Sequence, residues 1–509
     1  PSGSSPCDEG LVCAADAAGD DVCQVPLGGS CDPGADESFC VAPGQCFAQG
    51  DGGVCGLGEG AACDPATADA QCGPGLSCAE VTGGADPYEC FPPVLVEGRV
   101  FDAVTDTGIE GAQVIALDDL GSAITDVAVS AADGTYTLEV PAARDMDGAP
   151  LPLTFTLRAS AADYQTFPGG LRTALPLYTT DAVSMDAGWI IATPPTDIAL
   201  VPLPAGETGN PSISGTVTSM TRVAGVLVVA ESTAGAGYSA VSAADGSYTI
   251  FNVPDGDYTV RGYAAGLQLV PVDVTVAGAD LTGVDLADST DPLGSISGSI
   301  QIVNPGTGTA TSVVLVVAST FDDTFVRGEV PPGLRAPLTG APSITGAFTI
   351  DGVPAGDYVV LAAFENDDLV RDPDPNIAGT QIVTVTMPDP VAGTTVTLAT
   401  SFKVTGALDV IGPGADGPEG VTDPPTFSWV DDASEDYYSI VVYDSYGNLA
   451  WEDPMVPSSA GADVMVTYGG PPLEAGLYYQ FRATSWRTPG GMPGPISTTE
   501  DLRGVFFLQ

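Results

Sequence analysis

The stretch 213–260 decides the fold. It reads Ile213-Ser-Gly215-Thr-Val217, an apolar run from Val226 to Ala230, Ala244-Asp245-Gly246-Ser-Tyr248-Thr-Ile250, and Asn252-Val-Pro254-Asp-Gly256-Asp-Tyr258-Thr-Val260. Across 247–251 and 257–261 apolar and polar residues alternate. Alternation puts Tyr248 with Ile250, and Tyr258 with Val260, on one face of a strand. Asp245-Gly246 and Pro254-Asp-Gly256 are turn signals: Gly accepts positive φ, Asp bonds its own backbone, and Pro presets its φ. Short strands closed by Gly/Pro turns predict an antiparallel sandwich.

The same order recurs. The copy that follows runs Ile296-Ser-Gly298-Ser-Ile300, Val313 to Ala318, Thr345-Gly346-Ala-Phe348-Thr-Ile350, then Gly352-Val-Pro354-Ala-Gly356-Asp-Tyr358-Val-Val360. A looser copy precedes both: Gly98-Arg-Val100, Gly111-Ala-Gln-Val114, Asp133-Gly134-Thr-Tyr136-Thr-Leu138 and Leu157-Arg-Ala159. The opening Gly-x-Val, the Asp-Gly-x-Tyr turn and the Val-Pro-x-Gly-x-Tyr hairpin together resemble the carboxypeptidase regulatory-like domain, a transthyretin-like Greek-key sandwich. The resemblance covers about 94–400 and is closest over 210–288. It implies a structural or interaction module without catalytic residues. The first copy departs from it: the segment from Pro141 to Pro150 replaces the tight hairpin, and 165–205 add further apolar segments.

Composition sets outer limits. A chain of 509 residues predicts four or five domains of about 100 residues. No long stretch carries a 3.6-residue apolar period, so helix is expected to be scarce. Apolar runs fall far short of the roughly 20 residues that a membrane-spanning helix needs, so no transmembrane segment is expected. The formal net charge is −53, with one lysine, Lys403, and no histidine. Such a surface repels phosphate backbones and anionic lipid heads. Solubility in salty surroundings is the plain reading of the acidity, and divalent-cation binding the sharper one. A start at Pro1 without initiator Met reads as a mature or trimmed product.

All 11 cysteines lie between Cys7 and Cys90. One unit is Cys31-x8-Cys40-x5-Cys46-x8-Cys55, and the next is Cys63-x8-Cys72-x5-Cys78-x11-Cys90. Cys7-x5-Cys13-x9-Cys23 is a unit without its first member. By the same arithmetic that member falls about three residues before Pro1. An interchain thiol or a lipidated cysteine upstream are the other accounts of the odd count. With no Cys-x-x-Cys pair and no histidine, zinc is disfavoured and disulfides are expected. Four cysteines allow three pairings, and spacing does not choose among them. Disulfides imply an oxidising compartment. The region resembles the small Cys-rich repeats at the start of bacterial secreted and surface lipoproteins.

After Ser401 aromatics cluster, with Phe427 and Trp429 alternating, then Tyr479, Phe481 and Ala483. Leu473-Glu-Ala-Gly-Leu-Tyr-Tyr479-Gln-Phe481 resembles the fibronectin type III pattern around its corner tyrosine, and Phe427-Ser-Trp429 that family's core-Trp strand. The resemblance spans about 420–509. It implies that Tyr479 bonds a backbone group near the turn and that Trp429 fills the core. Trp451 and Trp486, which that pattern does not use, are the candidates for stacking on a glycan, with core or surface packing as the plain alternative.

Reactive constellations are few. Without histidine, His-based triads and Cys-His dyads are excluded. One lysine disfavours amine catalysis, and no phosphate-loop or dinucleotide fingerprint occurs. A carboxylate pair remains open in so acidic a chain. Asp372, Asp374 and Asn376 have the spacing of a calcium loop's first ligands, but Ile377 and Val383 stand where an EF-hand needs Gly and Glu. Calcium is thus the one cofactor candidate, against an acidic turn neutralised by Arg371.

These readings converge on an all-β chain: tandem antiparallel Greek-key β-sandwiches preceded by a small disulfide-rich, loop-rich module. The expected divisions are a Cys-rich region over 1–93, carboxypeptidase regulatory-like sandwiches over 94–205, 206–290 and 291–402, and a fibronectin type III-like sandwich over 403–509. The expected function is a non-enzymatic extracellular or bacterial cell-surface structural protein, a stalk or self-assembling filament subunit. Its partners would be copies of itself or other surface proteins, not nucleic acid. A surface adhesin or carbohydrate-binding lipoprotein is the alternative.

Overall fold

A computed structural model describes residues 11–15, 21–33, 40–49, 52–65, 71–84, 86–169, 172, 174–185, 188–303, 311–322, 327–340, 342–363, 371–372, 383–389, 391, 393–399, 401–432, 434–459, 461–500 and 502–509. The architecture is all-β, as expected. Among the described residues, helix is limited to single 3-10 turns such as Thr179–Asp181 and Ala318–Thr320. No helix among them is long and apolar enough to cross a membrane. The chain divides into two units. One comprises Pro1–Glu97, Glu139–Leu153 and Tyr178–Ala192, and the other Gly98–Leu138, Thr154–Leu177 and Thr193–Gln509.

In the first unit each cysteine unit folds as a short hairpin, Gln45–Gln49 on Gly52–Gly56 and Ser77–Glu80 on Tyr88–Phe91. Cys46 faces Cys55, and Cys78 faces Cys90, yet these facing residues do not bond each other. The bonds are Cys31–Cys46, Cys40–Cys55, Cys63–Cys78 and Cys72–Cys90, first to third and second to fourth in both units. Each closes a loop of 15 or 18 residues, worth about 3 kcal/mol in the chain-entropy account. That is substantial where the gaps are too polar to form a core. The hairpin Val12–Ala15 on Asp21–Gln24 sets Cys13 opposite Cys23 in the same way, and Cys23 is disulfide-bonded. Arg144 is buried in this unit, donates from Nη2 to the carbonyl of Pro92 at 2.7 Å, and has no partner for Nε and Nη1 among the described residues.

The second unit holds the second and third repeats whole and the larger part of the first. In the second repeat one sheet runs in the order Ser247–Ile250, Ile213–Thr218, Leu286–Ala287. The other runs Gly237–Val241, Leu227–Ser232, Gly256–Tyr263, Val272–Val276. The third repeat keeps that order, with Arg335–Ala336, Ser312–Val317, Gly356–Ala363 and Val383–Met387 in its second sheet. The quoted motifs have one physical role each. Gly215 is required because a Cβ there would lie 1.9 Å from the carbonyl oxygen of Val284. Gly246, at φ +82°, makes the turn, while Oδ1 of Asp245 accepts from the Ser247 amide at 2.9 Å. In the hairpin motif the tyrosine hydroxyl donates to the carbonyl of the proline four residues back, Tyr258 to Pro254 and Tyr358 to Pro354, both at 2.9 Å.

The repeats share their cores. Ser312–Val317 is buried at every position. Val313, Leu315 and Val317 join one cluster with Leu227, Val229 and Tyr263 of the second repeat and Ile115 of the first. Val314 and Val316, on the opposite face, pack with Leu120 of the first repeat. A continuous apolar run in an antiparallel strand therefore marks a sheet covered on both sides. Each such valine contributes about 1.5–3 kcal/mol on full burial, so the third repeat draws much of its stability from its neighbours.

Candidate functional site

Polar staples bind the repeats where their sheets meet. Arg158, of the first repeat, is 5% exposed. Its Nη2 donates to Oε1 of Glu329, of the third repeat, at 2.7 Å and to Oγ of Ser239, of the second, at 3.0 Å. Ser239 in turn donates to the same Glu329 oxygen at 2.6 Å. Three repeats thus meet at one ion pair. Between the second and third, Oε1 of Glu231 accepts from Tyr263 and Ser319 at 3.1 and 3.0 Å, and its Oε2 pairs with Arg261 at 3.3 Å. Arg261 also reaches Asp389 at 3.0 Å. Burial raises the pKa of Glu231 despite these partners. Between the first and second, Nδ2 of Asn252 donates to the carbonyls of Ala161 and Tyr164, each at 2.9 Å.

The same pattern reaches the C-terminal segment. Arg172 donates from Nη2 to the carbonyls of Ala199 and, at 3.0 Å, Tyr446. Burial lowers its pKa to about 10. Nη1 of Arg327 donates to the Arg172 carbonyl at 2.6 Å, and Arg335 pairs with Asp118 at 2.6 Å. Among arginines whose side chains are described, Arg487 alone is exposed. Five arginines, Arg158, Arg172, Arg261, Arg327 and Arg335, thus bond from one repeat or segment to another.

In the C-terminal segment Thr426–Trp429 lies between Val410–Gly412 and Val464–Thr467, facing a larger sheet that contains Leu449–Pro457, Tyr437–Asp444, Tyr478–Arg487 and Gly494–Thr498. Trp429 is fully buried, and the amide of Glu474 donates to the hydroxyl of Tyr479 at 2.8 Å. Both residues do what the sequence pattern implied for them. The two tryptophans set aside as ligand candidates part company. Trp451 packs against the core, stacked on Phe427 with centroids 6.3 Å apart and edge-on to Tyr468 at 5.2 Å. Trp451 is thus used by packing that the sequence pattern did not require of it. Trp486 lies on the other face, parallel to Tyr437 within 5° at a centroid distance of 6.2 Å, with Nε1 donating to Ser439 at 2.8 Å.

Sequence reading missed Tyr437, because the pairing of Tyr437 with Trp486 is a matter of strand register. Of the acidic calcium candidate, Asp372 alone lies among the described residues. Asp372 lies in a two-residue strand paired with Thr405, and Asp374 and Asn376 lie outside the described residues, as does Cys7. The cysteine sulfurs that come together, Cys31 with Cys40 and Cys55 and Cys63 with Cys72 and Cys90, are those of adjacent disulfides.

No family model and no curated protein matches this chain. Among solved structures, it is similar to a streptococcal ancillary pilin at 13% identity and TM-score 0.16, over 61% of this chain and 98% of the other. It is also similar to BcpA, the major pilin subunit of Bacillus cereus, at 10% identity and TM-score 0.16, over 62% and 99% of the two chains. A DUF3823 family protein from Bacteroides ovatus aligns at 11% identity and TM-score 0.20, over 42% and 100%. Likenesses at these scores carry no inference about this chain.

Proposed function

We propose that this chain is a non-enzymatic structural protein of the cell surface or extracellular space, a stalk or a subunit that self-assembles into filaments. The observation that supports it most is the fusion of three repeats into one block through shared cores and the Arg158–Ser239–Glu329 junction. Such a block resists local opening, which suits a load-bearing element better than a set of independently mobile modules. Disulfides in both complete cysteine units support an oxidising location. Among the described residues Val272–Val276, Val383–Met387, Leu449–Pro457 and Val464–Thr467 each end a sheet. An edge strand offers unpaired backbone groups to a second chain.

Electron microscopy of native, unreduced material shed from its source cells tests this reading. Ordered filaments support the assembling form. Isolated short rods support a stalk and remove the filament. Purified protein that stays monomeric across native salt and redox conditions also removes the filament.

A further inference from the structure

The outer face of the large C-terminal sheet carries a row of aromatic and proline residues that strand register creates. Pro457 is opposite Tyr437, Tyr437 opposite Trp486, and Trp486 opposite Pro495, on four adjacent strands. Neighbouring strands lie about 4.8 Å apart, so the row extends about 14 Å across the sheet. The two rings at its centre are parallel within 5°, and the Trp486 indole is held in orientation by its bond to Ser439. Both rings are half-buried.

The adjacent row is largely hydroxyl-bearing: Ser439 is opposite Thr484, and Thr484 opposite Thr498, with the two threonine oxygens 2.6 Å apart. At the rim Oδ2 of Asp436 accepts from the amide and hydroxyl of Thr488 at 2.7 and 2.6 Å. Aromatic surface thus sits beside hydroxyl groups.

We propose that this face binds a neutral polysaccharide strand, laid across the sheet with successive pyranose rings on Tyr437 and Trp486. A pyranose has an apolar C–H face and a polar rim, which is what the two rows offer. The strand spacing is close to the length of one sugar unit in an extended chain. The charge of −53 repels uronic and sulfated glycans and favours uncharged ones. The inference holds whether or not the chain assembles into filaments.

The test is titration of the intact chain with tetra- to hexasaccharides of glucose, mannose, xylose and N-acetylglucosamine, together with co-sedimentation on the parent insoluble polysaccharides. At least one neutral series binds. Trp486→Ala and Tyr437→Ala each weaken that binding about tenfold or more, as expected when one ring's stacking is lost. Their melting temperatures, followed alongside, exclude unfolding as the cause. As a second readout on unmutated protein, the bound sugar protects tryptophan fluorescence from acrylamide. That protection persists in Trp451→Phe and disappears in Trp486→Phe. Silence across the whole panel overturns the assignment. So does undiminished binding in Trp486→Ala, or capture of a proline-rich peptide with no sugar bound.

Discussion

Arg158 and Glu329 stand 171 positions apart in the chain and 2.7 Å apart in space, and Ser239 of the intervening repeat bonds both. Removing one partner of a buried pair leaves the other charge uncompensated, at a cost of about 3–5 kcal/mol. Arg158→Ala or Glu329→Ala is therefore expected to lower the denaturant midpoint by that equivalent. Replacing both residues with apolar ones costs markedly less. The unfolding transition, followed by tryptophan fluorescence and by far-ultraviolet circular dichroism, stays single. Separate melting of the first repeat in wild-type protein would contradict the shared-core account.

Salt is expected to stabilise the protein. With 66 acidic residues against 13 basic ones, and with Arg487 the one exposed arginine among those whose side chains are described, the surface carries nearly unopposed negative charge. Its self-repulsion is screened over about 8 Å at physiological ionic strength and over about 30 Å at 0.01 M. The melting temperature should rise as sodium chloride is added from 0.01 to about 0.15 M, in which range the Debye length shortens most. A flat or falling profile refutes this.

Glu231 gives a pH dependence of definite sign. Its pKa in the folded protein is raised from the ordinary 4.5, chiefly by burial. Its favourable contribution is complete below the unfolded value and is lost as pH rises through the folded one. Glu231→Gln, which keeps an oxygen for Tyr263 and Ser319, should remove that part of the profile. The stability difference between wild type and variant then shifts in favour of wild type on acidification from neutrality to about pH 4.5. Identical slopes for the two proteins mean that Glu231 does not titrate differently on folding.

Non-reducing peptide mapping should recover Cys31–Cys46, Cys40–Cys55, Cys63–Cys78 and Cys72–Cys90. Extended by sequence order to the incomplete unit, the same pattern predicts a peptide linking Cys7 with Cys23. A Cys13–Cys23 peptide breaks the pattern, because in both complete units the facing cysteines bond elsewhere.

The intra-repeat architecture was legible because its signals are local. Asp245-Gly246 turns within four residues, Tyr258 finds the carbonyl of Pro254 four positions back, and Trp429 alternates with Phe427 into one buried face. The junctions were not legible, since nothing near Arg158 in the chain names Glu329. One signal was present and carries over: the unbroken apolar run Val313 to Val317 departs from the alternation seen in 247–250, and that departure marks a second covered face. Trp451 and Trp486 could not be told apart by composition. Both lie in aromatic-rich strands, and the register shifts between Tyr438 and Ile440 and between Val442 and Tyr443 obscure which face a residue of the partner strand takes.

The inward placement of the arginines also bears on how one molecule meets another. Two copies approach as like-charged particles, and edge strands come within bonding distance only after that barrier is lowered. Polymerisation would therefore have an ionic threshold. Subunits would stay dispersed in dilute medium and join where mono- or divalent cations are plentiful, so the surrounding water decides when a fibre grows.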